Sequence, residues 1–316
     1  MKRFLPLLLV LAACEKEVSL NIPDHAPKLT LHCLVATGDT LHLQVGRSRS
    51  INEKRNDSVQ IVIDATVIIS VDGHATDTAR FDPTRRRYVS RTVPQPGRRY
   101  SISVQRAGFS TVIAEAQAPS VVPISTIEYF PEVRASNNGG TQDEIRIRWT
   151  DPAQTNNIYM IDVFGYQPDI SVPFDQLTGP TVFSFSTLSV CVQTADAEVE
   201  SVDGVDPGTL GVAGSSCAYL PELFMRDASF QGKQKEFRFF LDSGILEGGY
   251  GTPADSIAPR VRLSNVTPAY LRYRQSRAAF ASTSGNPFGE PVNVASNVHG
   301  GYGFFAIEGV SMMPID

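Results

Sequence analysis

Along the first third of this 316-residue chain, apolar residues recur at every second position in short runs, and turn-forming residues close each run after a few positions. Residues 29–35, 41–45, 65–71, 88–93, 100–104 and 112–116 are such runs, β-branched or aromatic in character, and each is a predicted strand. Asp72-Gly73 falls between two of them and predicts a tight primed hairpin turn, because Gly accepts the positive φ that such a turn demands. Pro96-Gly97 predicts a second turn. Closely spaced strands without a helical period predict a β-sandwich of immunoglobulin-like or fibronectin-like kind over residues 28–118.

Pro119 and Pro123 bracket a connection in which a domain boundary is expected. Beyond it, residues 144–149 alternate, with Ile145, Ile147 and Trp149 on one face and Arg146 and Arg148 on the other. Trp149, the single tryptophan, is the expected core anchor of a second sandwich over residues 119–316. Asp151-Pro152 supplies its turn, and residues 159–164, 236–241 and 260–263 are further strands. Residues 165–235, long on Gly, Pro, Ser and acid, are expected to form a large insertion or loop region. One helix stands out: Thr267 caps it, Pro268 fits its first position, and helical spacing continues to about Phe280, with Tyr270, Tyr273 and Phe280 expected against the sheet. The predicted fold is all-β, two tandem sandwiches, the second carrying long insertions and one helix.

The start of the chain fits neither sandwich. Lys2-Arg3, an apolar run, and then Leu11-Ala12-Ala13-Cys14 resemble a bacterial lipoprotein signal with its lipobox. In that reading residues 1–13 are removed, Cys14 carries the lipid anchor to the membrane, and residues 14–27, with Pro23 and Pro27, form an extended tether. The apolar run is far shorter than the about 20 residues that span a bilayer, and Glu15-Lys16-Glu17 ends it.

Charge is unevenly placed. Residues 26–118 hold 13 Lys+Arg against 8 Asp+Glu, whereas residues 119–316 hold 12 against 22. Arginine without a recognisable motif on one side, and acid on the other, argues against nucleic acid as a partner. Arg85-Arg86-Arg87 with Arg98-Arg99 reads either as a cationic patch for acidic headgroups or glycans, or as a solvated strand edge. Cys191 and Cys217 lie in the same half and flank one loop, so an exported protein is expected to join them in a disulfide, leaving Cys33 as a small buried hydrophobe. Asp196, Glu198, Asp203 and Asp206 crowd that loop with Glu200. Hard oxygen ligands at this density hold calcium in some proteins, but the order does not match an EF-hand, and a solvated acidic loop is the other reading. No histidine or cysteine spacing matches a zinc site, and no Gly-x-Ser-x-Gly elbow occurs. An enzyme is not expected, nor a cofactor.

Two later stretches resemble a family. Residues 223–233, Leu-Phe-Met-Arg-Asp-Ala-Ser-Phe-Gln-Gly-Lys, and residues 284–305, with Asn286-Pro287, Glu290-Pro291, Ser296-Asn297-Val298-His299-Gly300-Gly301-Tyr302-Gly303-Phe304-Phe305, look like an uncharacterised lipoprotein family of Bacteroidota. Arg47-Ser48-Arg49-Ser50 near the front agrees. The resemblance implies an outer-membrane lipoprotein, domain-of-unknown-function in type, commonly encoded near TonB-dependent receptors, with no catalytic residues to carry over. Glu15-Lys16-Glu17 looks like the acidic signal that sends such lipoproteins to the cell exterior. Gly300, Gly301 and Gly303 fit either tight loop packing on the sheet or close approach of a ligand to backbone. In this segment Asn286, Glu290, Asn297, Tyr302 and Phe304 are the candidate contacts for a ligand or partner, although the alternation puts at least one ring in the core.

Two functions of different class follow. One is a non-enzymatic surface lipoprotein that captures a ligand or serves a TonB-dependent transporter in nutrient uptake; the other is a structural or adhesive surface protein. In the first, the C-terminal half is expected to make the decisive contact and the N-terminal half to act as a spacer.

Overall fold

The structure is a computed structural model that describes residues 25–50, 53, 60–136, 139–168, 183–193, 199–201, 217–220, 222–246, 258–283, 290 and 292–315. The leader, Cys14 and most of the tether lie outside the described residues.

The first half contributes strands β1 (Leu29–Ala36), β2 (His42–Arg47), β3 (Thr66–Val71), β4 (His74–Asp82), β5 (Arg87–Val89), β6 (Arg99–Gln105) and β7 (Val112–Gln117). They follow the predicted runs, and the nine-residue hairpin partner β4 is added. Asp72 and Gly73 take φ of 49° and 84°, the primed turn that the dipeptide predicts. Alternation sorts their side chains: in β1, Leu29, Leu31, Cys33 and Val35 are buried while Thr30, His32 and Leu34 face outward.

The second half begins with β8 (Ile124–Ala135), β9 (Thr141–Thr150) and β10 (Ile158–Pro168). Trp149 is fully buried, edge-on to Tyr159 at 5.4 Å and to Phe230 at 5.9 Å. The expected loop region contains five strands instead: β11 (Phe183–Leu188), β12 (Val190–Gln193), β13 (Val199–Ser201), β14 (Cys217–Leu220) and β15 (Leu223–Arg226). Four of these have four residues or fewer, too short for alternation to rise above the Gly, Pro and Ser around them. The chain ends with β16 (Gln234–Asp242), β17 (Arg260–Val266), helix α1 (Pro268–Thr283), β18 (Val298–His299) and β19 (Tyr302–Pro314). Thr267 caps α1 as predicted, its Oγ1 accepting the Tyr270 N–H at 3.3 Å.

The all-β class holds among the described residues. A five-stranded sheet has the order β14-β12-β16-β9-β8, and a 14-stranded sheet runs β13-β15-β10-β17-β19-β1-β2-β5-β4-β3-β6-β7-β18, with β11 beside β10. One core lies around β1 to β7, and a second lies around Trp149, between the five-stranded sheet and the β15-β10-β17 end of the large one. β19 belongs to both. It pairs antiparallel with β17 from Arg260↔Pro314 to Asn265↔Gly309 and parallel with β1 from Thr30↔Tyr302 to Ala36↔Glu308. Phe305 and Ile307 enter the first core, while Phe304 and Ala306 face the other way, under α1.

The glycines before and within β19 answer the question left open by the sequence. A Cβ on Gly300 would overlap the Thr111 carbonyl, one on Gly301 the Leu29 carbonyl, and one on Gly303 the Leu31 carbonyl. They are there so that this backbone can lie against β1 and β7.

Candidate functional site

Helix α1 covers the outer face of β15, β10, β17 and β19 with Tyr270, Leu271 and Tyr273, packed on Ile158, Met160, Phe224, Val266, Phe304 and Ala306. Tyr273 stacks on Phe304 with centroids 4.1 Å apart and an interplanar angle of 4°. Phe304, a candidate contact by sequence, is therefore a packing residue, 2% exposed. His32 lies opposite Phe304 and Gln44 in the ladders, so β1 and β2 continue the same face beyond the helix footprint. There the second half of α1 and residues 292–296 leave a groove open.

The groove has two parts that share His32, Tyr273 and Arg277. The smaller, about 310 Å³, runs along β1 and β2 to Arg85 and Arg86 in the β4–β5 turn and Arg87 at the start of β5. That turn is held by Asp82, whose Oδ1 accepts the Thr84 and Arg85 N–H groups at 2.9 and 3.1 Å. The larger, about 790 Å³, is walled by Phe280, Val292, Val294 and Tyr302. Phe280 was expected against the sheet, but it is 49% exposed, because α1 seats only its first turns on the strands. Of the ten large hydrophobic residues exposed among the described residues, Leu34, Phe280, Val294 and Tyr302 line this one groove. His32 faces outward from β1, yet the groove walls crowd it, and that partial desolvation, followed by the nearby Arg277 charge, lowers its pKa.

The two arginine clusters joined in the sequence reading separate here. Arg98 pairs with Asp72 at the other hairpin end, so only Arg85 to Arg87 reach the groove. Among the other candidates, Tyr302 lines the groove and carries the Lys28 ammonium 5.2 Å from its ring centre. Asn297 instead imitates a neighbouring strand: its Oδ1 accepts the Phe305 N–H at 2.9 Å and its Nδ2 donates to the Phe305 carbonyl at 2.7 Å. That role is architectural. Glu290 is exposed, and Asn286, Asp196, Glu198, Asp203 and Asp206 lie outside the described residues. Among the described residues no group of three or more His, Cys, Asp or Glu is arranged to hold a metal ion. The sequence reading missed His32, Arg277 and Phe280 as site residues, though the Tyr273, Arg277, Phe280 spacing marked one helical stripe.

Cys33 is a buried free thiol whose Sγ lies 3.3 Å from the His42 carbonyl, and burial pushes its pKa up, away from the reactive thiolate. Cys191 is disulfide-bonded, and the β12–β14 ladder places Cys217 opposite Gln193, two residues along from Cys191. Non-reducing peptide mapping of exported protein is expected to return a Cys191–Cys217 peptide pair. Closing a loop of about 26 residues stabilises by about 3 kcal/mol in the chain-entropy model, and two free thiols would refute the pairing.

Beside the groove a buried charge network fastens α1 to the sheet. Arg262 holds Asp162 with Nη2 and Nε at 2.6 and 2.8 Å and lies 3.8 Å from Glu308, which accepts from Ser264 at 3.3 Å. Arg274 on α1 pairs with Glu222 and donates to the Tyr270 hydroxyl at 3.3 Å. Desolvation raises the pKa of Asp162 and Glu222, and the arginines oppose it. Each residue is paired with a neighbour, although Glu222 Oε2 is buried without a partner, so this cluster is a clamp on the helix that forms one wall of the groove.

The family model for DUF4249, a domain of unknown function, matches residues 15–312. The chain belongs to the DUF4249 family. The match takes in β1, β19 and α1, so groove and clamp both fall within the DUF4249 domain. No curated protein matches the sequence. Among solved structures, a protein from Corynebacterium diphtheriae described as membrane anchored is similar at 10% identity over 76% of this chain, with a TM-score of 0.22. The chain spans about half of that protein, 55%.

Proposed function

We propose that this DUF4249 chain is a lipid-anchored binding protein of a bacterial outer membrane, facing the cell exterior, that serves a TonB-dependent transporter in nutrient uptake without chemistry of its own. The groove is the observation that carries this reading: both halves of the molecule build it, the exposed rings of Phe280 and Tyr302 line it, and Arg85, Arg86, Arg87 and Arg277 meet along it. A purely structural or adhesive protein has no need of a concave site of this size. The lipobox at Cys14 supports the anchor, and the family match begins at residue 15, immediately after it. The expectation that the first half is only a spacer changes accordingly, since Arg85 to Arg87 and His32 bring it into the site.

Affinity-tagged protein, extracted from outer membranes of its own bacterium in mild detergent, is expected to bring down a TonB-dependent transporter. Cys14→Ala is expected to leave the membrane fraction, because each acyl methylene lost removes about 0.8 kcal/mol of attachment. Persistence of that variant in salt-washed membranes would overturn the anchor, and a pull-down without a transporter would overturn the partnership.

A further inference from the structure

We infer that the groove binds an anionic amphiphile, with its phosphate or carboxylate head at Arg85–Arg87 and Arg277 and its apolar portion along Phe280, Val294 and Tyr302. This names the ligand class of the site and rests on reading the protein as a tethered binding protein.

Charge sets the head. Arg86, Arg87 and Arg277 have no carboxylate partner among the described residues, and Arg85 reaches Asp82 only at 3.8 Å between two partly exposed groups. Other exposed arginines, such as Arg80, Arg91 and Arg238, also lack a carboxylate partner among the described residues, but they line neither part of this groove, where four guanidinium-bearing side chains meet. Guanidinium groups left together without counter-charge around one concavity repel each other and favour an anion that several of them share. His32 lies at the junction of the two parts and offers a ring nitrogen and an apolar ring face.

Shape sets the rest. Past Tyr273 and Arg277 the lining changes from guanidinium to ring and aliphatic side chain, and the space is more than twice as large as at the head. The joined volumes suit one elongated molecule rather than a bare ion. The apolar end also lies at the root of the tether, since Lys28, from which the chain enters β1, packs over Tyr302. An amphiphile seated this way has its tail at the end where the tether leaves and its head further into the body.

The test uses the mature lipidated protein in phosphatidylcholine nanodiscs, titrated calorimetrically with 1-naphthyl phosphate, inorganic phosphate and 1-naphthol. Naphthyl phosphate is expected to bind at least about 10-fold more tightly than either fragment, and Arg277→Gln and Tyr302→Ala are each expected to weaken it about 10-fold. Arg98→Gln, remote from the groove, is the control and should bind as the parent does. Equal affinity for inorganic phosphate would reduce the site to an anion site and overturn the amphiphile, as would an unchanged affinity in Arg277→Gln protein with a parental melting curve. Nanodiscs containing phosphatidylglycerol separate the two sources: competition with the probe marks a membrane lipid as occupant, and an unchanged affinity marks a free molecule. Because no transporter is present, a failed pull-down and a failed titration are told apart.

Discussion

Gly303→Ala is expected to lower stability by about 3–5 kcal/mol, a large fraction of a typical safety margin, and to reduce Tm by roughly 10 °C. Two costs combine. Gly303 sits at φ 122°, a region L side chains rarely adopt, and its Cβ would run into the Leu31 carbonyl of β1, with the rest of the Leu31 backbone close behind. No rotamer change relieves a clash with backbone, so β19 must move away from β1 at the start of the ladder that begins Thr30↔Tyr302. Gly38→Ala calibrates the conformational part alone: Gly38 has φ 89° with nothing within 4 Å of a Cβ, and should cost about 1–2 kcal/mol. Urea melts of the two variants, followed by circular dichroism, measure the difference. Equal losses would show that close approach of the two terminal strands is not what the glycine is for.

Arg262→Met is expected to cost about 3–5 kcal/mol near pH 8, because it strands the buried Asp162 carboxylate and weakens the hold on Glu308. Desolvation already raises the Asp162 pKa in the folded protein. A raised pKa means that the folded state binds the proton more tightly than the unfolded chain does, so stability from this group is greatest below the unfolded pKa and falls as pH rises through the folded one. Arg262 opposes that fall. Without it the folded pKa rises further, and the loss should shrink as pH is lowered from 8 toward 5. The double variant Asp162→Asn, Arg262→Met should show a flatter pH dependence. A single-variant loss that is the same at both pH values would mean that Arg262 acts by packing its stem rather than by charge.

Strands β1 to β3, β6, β7, β9, β10, β16 and β17, helix α1 with its Thr267 cap, and the Trp149 core were legible because each depends on contacts between near neighbours: alternation for a half-buried strand, a side-chain oxygen for the first helical N–H groups, a turn dipeptide with positive φ. Strands β12 to β15 were not, since a strand of three or four residues owes its existence to the strands it pairs with, and six-residue β11 is likewise seated by its pairing with β10.

For the site, the sequence by itself marked Arg85 to Arg87, Tyr302 and the glycines around it, and left open what each was for. The tertiary structure decided that by pairing β1 with β19 in parallel. That single ladder turns the glycines into a packing device, sends Phe304 under Tyr273, leaves Tyr302 on the surface, and sets His32 beside Arg277. Nothing local announces such a pairing, because its two strands come from opposite ends of the chain and the free energy that joins them is released only when both cores close around β19.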